Sequence, residues 1–150
     1  MEYRVKSVFI YNFTRYIQWE NENEAEPFII AVLGESPIIE FLMDMALKKK
    51  VGDRKIEILL FKDISEIQAS NILFIPHSQS DKVKQILEKT TSTNTLTVSE
   101  TEGLANKGII VNFKLIEENI KFELNTVAAE RAELKVGSPL KKIAILVDEE

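Results

Sequence analysis

Apolar residues recur at steps of three and four along residues 2–19, with Val5, Phe9, Phe13, Tyr16 and Ile17 falling on one face. That period predicts an amphipathic helix with an aromatic inner face, and Pro27 stops any continuation. Residues 28–33 (FIIAVL) form an unbroken apolar run with β-branched members, the pattern of a strand buried on both faces. Gly34 ends it. Ser36 followed by Pro37 then reads as an N-cap and first helical position, because a proline there forfeits no helical hydrogen bond. Ile38, Leu42, Met45 and Ala46 supply this second helix with its inner stripe. Lys48, Lys49 and Lys50 mark its end, where cations meet the negative pole of the helix dipole, a reading preferred to a basic binding patch. A second strand is predicted over 55–61, a turn or two of helix over 63–69, and a third strand over 71–75 that Pro76 closes. Ser80 or Asp81 then caps a helix through Val83, Ile86 and Leu87, and 95–98 is again strand-like. Strand and helix alternate as they do in parallel β-α-β units.

The pattern changes after Gly108. Ile120, Phe122 and Leu124 alternate with Lys121, Glu123 and Asn125, and Ile109, Val111 and Phe113 can supply the matching inner face of a partner strand. A link of about five residues between two such runs favours an antiparallel hairpin, since a parallel crossover needs a dozen or more. Asn125 is placed to cap a helix holding Val127, Ala128, Arg131 and Ala132, which residues 134–137 break. Ser138 and Pro139 repeat the cap-then-proline device and open a last helix with Leu140, Ile143, Ala144 and Val147 on one side; the terminal ILV leaves a strand open as the alternative. The expected architecture is α/β, a three-layer Rossmann-like domain with a mixed sheet, a parallel core and a C-terminal antiparallel hairpin, in a single domain spanning 1–150. Its core should include Phe9, Phe13, Ile30, Val32, Leu73, Phe74, Val98, Val111, Phe122 and Ile143.

Composition narrows the function classes. Hydrophobic residues make up 45% of the chain and charged ones 29%, which is ordinary for a globular protein. No apolar run approaches the ~20 residues of a membrane span. A net charge of -5 argues against nucleic acid, whose affinity rests on clustered Lys and Arg. There is no cysteine, which excludes disulfides, thiolate metal sites and cysteine nucleophiles. The acidic segment 20–26 lacks the glycine spacing of a calcium loop and reads as a solvated linker. Helical sequence follows Met1 almost at once, which fits a cytosolic protein or a sequence beginning after a removed signal.

His77 is the sole histidine, with Ser78, Ser80 and Asp81 beside it. Neighbours in one loop rarely converge as a nucleophile and its base do, and no G-x-S-x-G elbow accompanies them. One histidine without thiolates is also a poor start for a metal site. Position says more. Gly34, Ser36, His77, Ser78 and Ser99 all follow strands read as parallel, and ligands of open α/β sheets sit beyond the carboxyl ends of such strands. These five residues are the candidate ligand rim.

Five blocks carry a resemblance. VKSVFIYNFTRYIQWE, FIIAVLGESP, NILFIPHS, TLTVSETEGLANKGIIVNF and IKFELNTVAAERAELKVGSPLKKIAIL occur in the order found in the YfiR-like family, and together they run nearly end to end. The resemblance implies a secreted, periplasmic α/β domain, its signal peptide already removed, without enzymatic activity and with no cofactor. Its implied partner is a membrane-bound sensor or diguanylate cyclase, which it would repress, and a homodimer is suggested. The competing class is a small-molecule binding module serving a transporter or sensor kinase, with no cyclase partner. Glu133 stands where the family commonly has glycine before its LK segment, Lys107-Gly108 replaces a doubled glycine, and the cysteines that permit redox control in some members are missing.

Overall fold

The computed structural model describes residues 1–20 and 22–149. Helix α1 (Glu2–Tyr16) is followed directly by β1 (Ile17–Trp19), then β2 (Phe28–Leu33), α2 (Ile38–Lys48), the short β3 (Lys50–Val51) and β4 (Arg54–Phe61). Strand β5 (Ile72–Ile75), helix α3 (Val83–Thr90) and β6 (Leu96–Ser99) come next, and β7 (Val111–Ile116) and β8 (Asn119–Leu124) form the hairpin. Helix α4 (Thr126–Arg131), β9 (Leu134–Val136), α5 (Ser138–Ile143) and β10 (Ile145–Leu146) complete the described chain. Eight strands form one mixed sheet in the order β10-β8-β7-β6-β5-β2-β4-β3, while β1 and β9 pair antiparallel in a separate ribbon.

The centre of the sheet, β4-β2-β5-β6-β7, is parallel, and β7 pairs antiparallel with β8. The expected α/β class, parallel core and hairpin are all present. Alternation along the strands divides two cores. Phe28, Ile30 and Val32 face α1 and α2 together with Ile72, Phe74, Leu96 and Val98. Ala31, Leu33, Leu73 and Ile75 face Ile86 of α3 on the other side. Burial on both faces explains why β2 and β5 read as continuous apolar runs.

Helix α1 is anchored by aromatic contacts. Phe13 lies 5.2 Å, edge-on, from Phe122 and 6.1 Å from Phe113, and Phe9 is 5.8 Å from Phe122. Phe13 is fully buried, whereas Phe9 is only partly so and packs against the same cluster. Two of the expected caps form: Ser36 Oγ accepts from the Ile38 amide at 3.2 Å, and Asn125 Oδ1 accepts from the Ala128 amide at 2.9 Å. The other two do not, since α3 begins after Lys82 rather than at Ser80 or Asp81, and Ser138 lies inside α5, behind Gly137, without a capping bond.

Several expectations need correction. The first helix stops at Tyr16, because Ile17–Trp19 extend and pair residue for residue with Leu134–Val136. The segment expected only to break a helix is therefore strand β9. Residues 77–82 form 3-10 turns before α3 begins at Val83. The last helix ends at Ile143, and Ile145 and Leu146 pair parallel with β8, so the strand alternative holds for part of the ILV. That turn of the chain leaves Ile143 62% exposed instead of in the core. In the acidic segment Asn21 lies outside the described residues, but Glu22 is more than solvated: it pairs with Arg54 and accepts from Asn71 Nδ2 at 2.8 Å.

The hairpin is tighter than the expected five-residue link. Ile116 opposes Asn119, so only Glu117 and Glu118 make the loop, both left-handed at φ 49° and 68°. A two-residue loop with both φ positive matches the right-handed strand twist, but asparagine and glycine suit it far better than glutamate. Replacing Glu117→Asn and Glu118→Gly should raise stability by about 1 kcal/mol, read as a higher urea midpoint with an unchanged slope.

Candidate functional site

The carboxyl ends of β2, β5 and β6 lie side by side and carry the five rim residues, which the structure divides into two groups. Gly34 and Ser78 line one cleft of about 630 Å³ with Ile39, Leu60, Phe61, Lys62 and Gln79. Gly34 has φ +83°, and a Cβ there would stand 3.0 Å from Gln79 Nε2, so only glycine lets the β2 turn and the Gln79 amide approach so closely. Gln79 Oε1 is buried without a hydrogen-bond partner. Ser36 sits at the entrance to α2, its hydroxyl committed to the cap.

His77 and Ser99 belong to a second group. His77 Nδ1 lies 2.8 Å from Thr101 Oγ1, and the His77 amide donates to Glu100 Oε2 at 3.0 Å. Ser99 is fully buried, its hydroxyl donating to Asn112 Oδ1 at 2.7 Å. Asn112 Nδ2 in turn donates to Glu123 Oε1 at 3.0 Å. Register explains this row: Ser99 opposes Asn112 on β7, which opposes Glu123 on β8. The Thr101 amide also donates to Asn112 Oδ1, at 3.1 Å. The row lies on the sheet face turned away from α1, and its polar atoms satisfy one another inside the protein.

Glu100, just beyond β6, ties this edge to α1. Its Oε1 accepts from Lys6 Nζ at 2.7 Å, with both side chains nearly enclosed at 5% and 6% exposure. Lys6 also pairs with Glu2, and Tyr3 donates to Glu100 Oε2 at 3.3 Å. Burial first, and then the charge of Glu100, push the Tyr3 hydroxyl up to about 12. The phenol therefore stays protonated and donating throughout the neutral range. Sequence reasoning missed this cluster, although a signal existed: Lys6 falls on the apolar face of the helix, between Tyr3 and Ile10, where a charge requires a partner.

The arrangement holds its polar groups in fixed positions, with the His77 ring against the Thr101 hydroxyl among them. Among the described residues, no group of three or more His, Asp and Glu side chains could hold a metal ion. Among them, too, no helix is long and apolar enough to cross a membrane. The sequence profile of the YfiR/HmsC-like family matches residues 3–145. The chain belongs to the YfiR/HmsC-like family. Compared with curated proteins, it matches none. Within this YfiR/HmsC-like chain, Glu133, where the family resemblance has glycine, keeps the left-handed backbone such a glycine favours, at φ +60°. Lys107-Gly108 likewise retains its second glycine at φ +119°.

The Lys6–Glu100 pair sets a measurable cost. Removing Lys6 strands the enclosed Glu100 carboxylate, and removing Glu100 leaves Lys6 with the half-exposed Glu2 alone; breaking a buried pair typically costs ~3–5 kcal/mol, whereas removing both partners costs much less. Urea titration of Glu100→Gln, Lys6→Met and the double variant should therefore show strong coupling, with the double variant more stable than the Glu100 single.

Proposed function

We propose that this YfiR/HmsC-like protein is a periplasmic, non-catalytic regulator that acts by binding another protein, the sensory part of a membrane-bound diguanylate cyclase, and restrains it. The observation that carries the reading is family membership over residues 3–145. The family is known for regulators of diguanylate cyclase pathways and is periplasmic in general. The chemistry of the sheet edge agrees with this role. Buried hydrogen bonds among Ser99, Asn112 and Glu123, and from the His77 amide to Glu100, hold this sheet edge in one shape, which suits a protein that offers a fixed surface to a partner. Deleting the gene should raise cellular cyclic di-GMP, and a tagged copy should co-purify with a membrane protein that carries a cyclase domain. An unchanged cyclic di-GMP level together with no such membrane protein would overturn the reading.

A second reading, a small-molecule binding module serving a transporter or sensor kinase, is favoured by the cleft between Gly34 and Ser78. The unpartnered Gln79 Oε1 at its wall would accept from a ligand carrying an N–H or O–H group, with Lys62 beside it. In a thermal-shift screen of metabolites, a ligand of this cleft should lose its stabilising effect in Ser78→Ala and Gln79→Ala. His77→Ala tests whether the rim extends toward β6. A ligand whose shift survives both cleft variants binds elsewhere.

A further inference from the structure

The outer face of α1 and α2 carries a concentration of cations at odds with the net charge of -5. Arg4, Val8, Tyr11 and Arg15 form one outward stripe of α1, and Arg4 lies over the Phe41 ring of α2 at 5.1 Å. At the other end of the helix pair, Arg15 and Lys49 both lie over the Tyr11 ring, at 5.4 and 5.8 Å, and the Tyr11 hydroxyl donates to the Lys50 carbonyl at 3.1 Å. Tyr11 thus gathers the ends of α1, α2 and β3 at one point. Lys50 stands directly opposite Lys55 across the β3-β4 pair, so two like charges leave the same face of the ribbon. Such a juxtaposition is destabilising on its own. Lys48 is held by Asp44 at 3.0 Å, and Glu40 lies on the same helix. Among the described residues, Arg4, Arg15, Lys49, Lys50 and Lys55 have no carboxylate within ion-pair distance.

Apolar side chains project from the same face. Leu47, next to the lysines, is 88% exposed, and Val8, between the two arginines, is 54% exposed. A helix-dipole role accounts for a cation in the last turn of α2, but not for Arg4, for the opposed Lys50 and Lys55, or for a leucine held out in water beside them. Cations surrounding a projecting aliphatic side chain complement a surface that is anionic outside and apolar beneath, as the headgroups and acyl chains of a lipid bilayer are. The protein's overall negative charge does not prevent this. At physiological salt a charge is felt over only ~8 Å, so the face that arrives at the membrane decides the sign of the interaction.

We infer that the α1-α2 face, centred on Leu47 and the Lys49, Lys50 and Lys55 cluster, docks on an anionic lipid membrane. Lys49, Lys50, Lys55 and Arg15 take the lipid phosphates, and Leu47 enters the acyl boundary. This goes beyond the regulatory reading and is measured on purified protein alone, so its failure leaves that reading untouched.

Co-sedimentation with vesicles of phosphatidylcholine, with and without phosphatidylglycerol, tests the inference. The protein should partition onto the phosphatidylglycerol vesicles and not onto pure phosphatidylcholine, and raised salt should release it. Each removed lysine charge should weaken partition about fivefold, so Lys49→Gln with Lys50→Gln should be weaker than either single variant. Leu47→Gln should also weaken it, while Lys84→Gln with Lys89→Gln, on α3 across the sheet, should not. All these positions are exposed or at the surface, and a native melting transition for each variant excludes misfolding. No partition onto either vesicle, equal partition onto both, or equal loss from the α3 variants would overturn the inference. Binding to a polyglutamate matrix without binding to anionic vesicles would also overturn it and assign the face to an acidic protein.

Discussion

The register of the β7-β8 hairpin is the constraint on which the rest of the molecule depends. Side chains alternate along a strand, so pairing Phe113 with Phe122 sends both toward α1 and sends Asn112 and Glu123 to the opposite face. A slip of one residue would exchange the two sets. The aromatic anchors of α1 would then meet an amide and a carboxylate, and the polar row reaching Ser99 would lose its members. The tight Glu117-Glu118 loop holds the register although neither residue suits a left-handed backbone. The strain sits at an exposed tip, where the energy of the two packed faces outweighs it.

The same sheet does different work at different places. On the β2-β5 side, alternation places aliphatic groups on both faces, and the strands act as a rigid floor. Toward β6, β7 and β8 the second face turns polar, and buried hydrogen bonds running from strand to strand replace aliphatic packing. Such a network adds little net energy per bond, but each member left alone would be costly, so it defines one arrangement sharply. Glu100 extends this definition out of the sheet into α1 through Lys6 and Tyr3. Helix, sheet edge and hairpin are thus tied together by buried contacts.

Much of this was legible in the sequence because the signals were local. The apolar run 28–33, the serine cap before Pro37 and the Asn125 cap each depend on a few neighbouring residues, and each forms as read. The parts that were not legible depend on distant partners. Residues 17–19 continue a helical pattern, yet they extend because β9 offers a ladder more than a hundred residues away. Ile143 has the spacing of a core residue, but pairing of β10 with β8 turns it to solvent. For the candidate site, strand-end position found Gly34 and Ser78 together in a cleft. It could not distinguish them from Ser99, whose hydroxyl faces inward to Asn112, because the partner on β7 is fixed by sheet order rather than by sequence distance.

The placement of α1 has a consequence for the order in which the chain is made. Its aromatic face is translated before the strands that cover it, since Phe113 and Phe122, against which Phe9 and Phe13 pack, follow β2, β4, β5 and β6 in the chain. Strand β1 waits longer still for β9. Until Phe113 and Phe122 are made, the helix face lacks its aromatic cover, although β2 and α2 already pack against its other apolar residues. The hairpin and β9 close the structure by returning to α1 and β1.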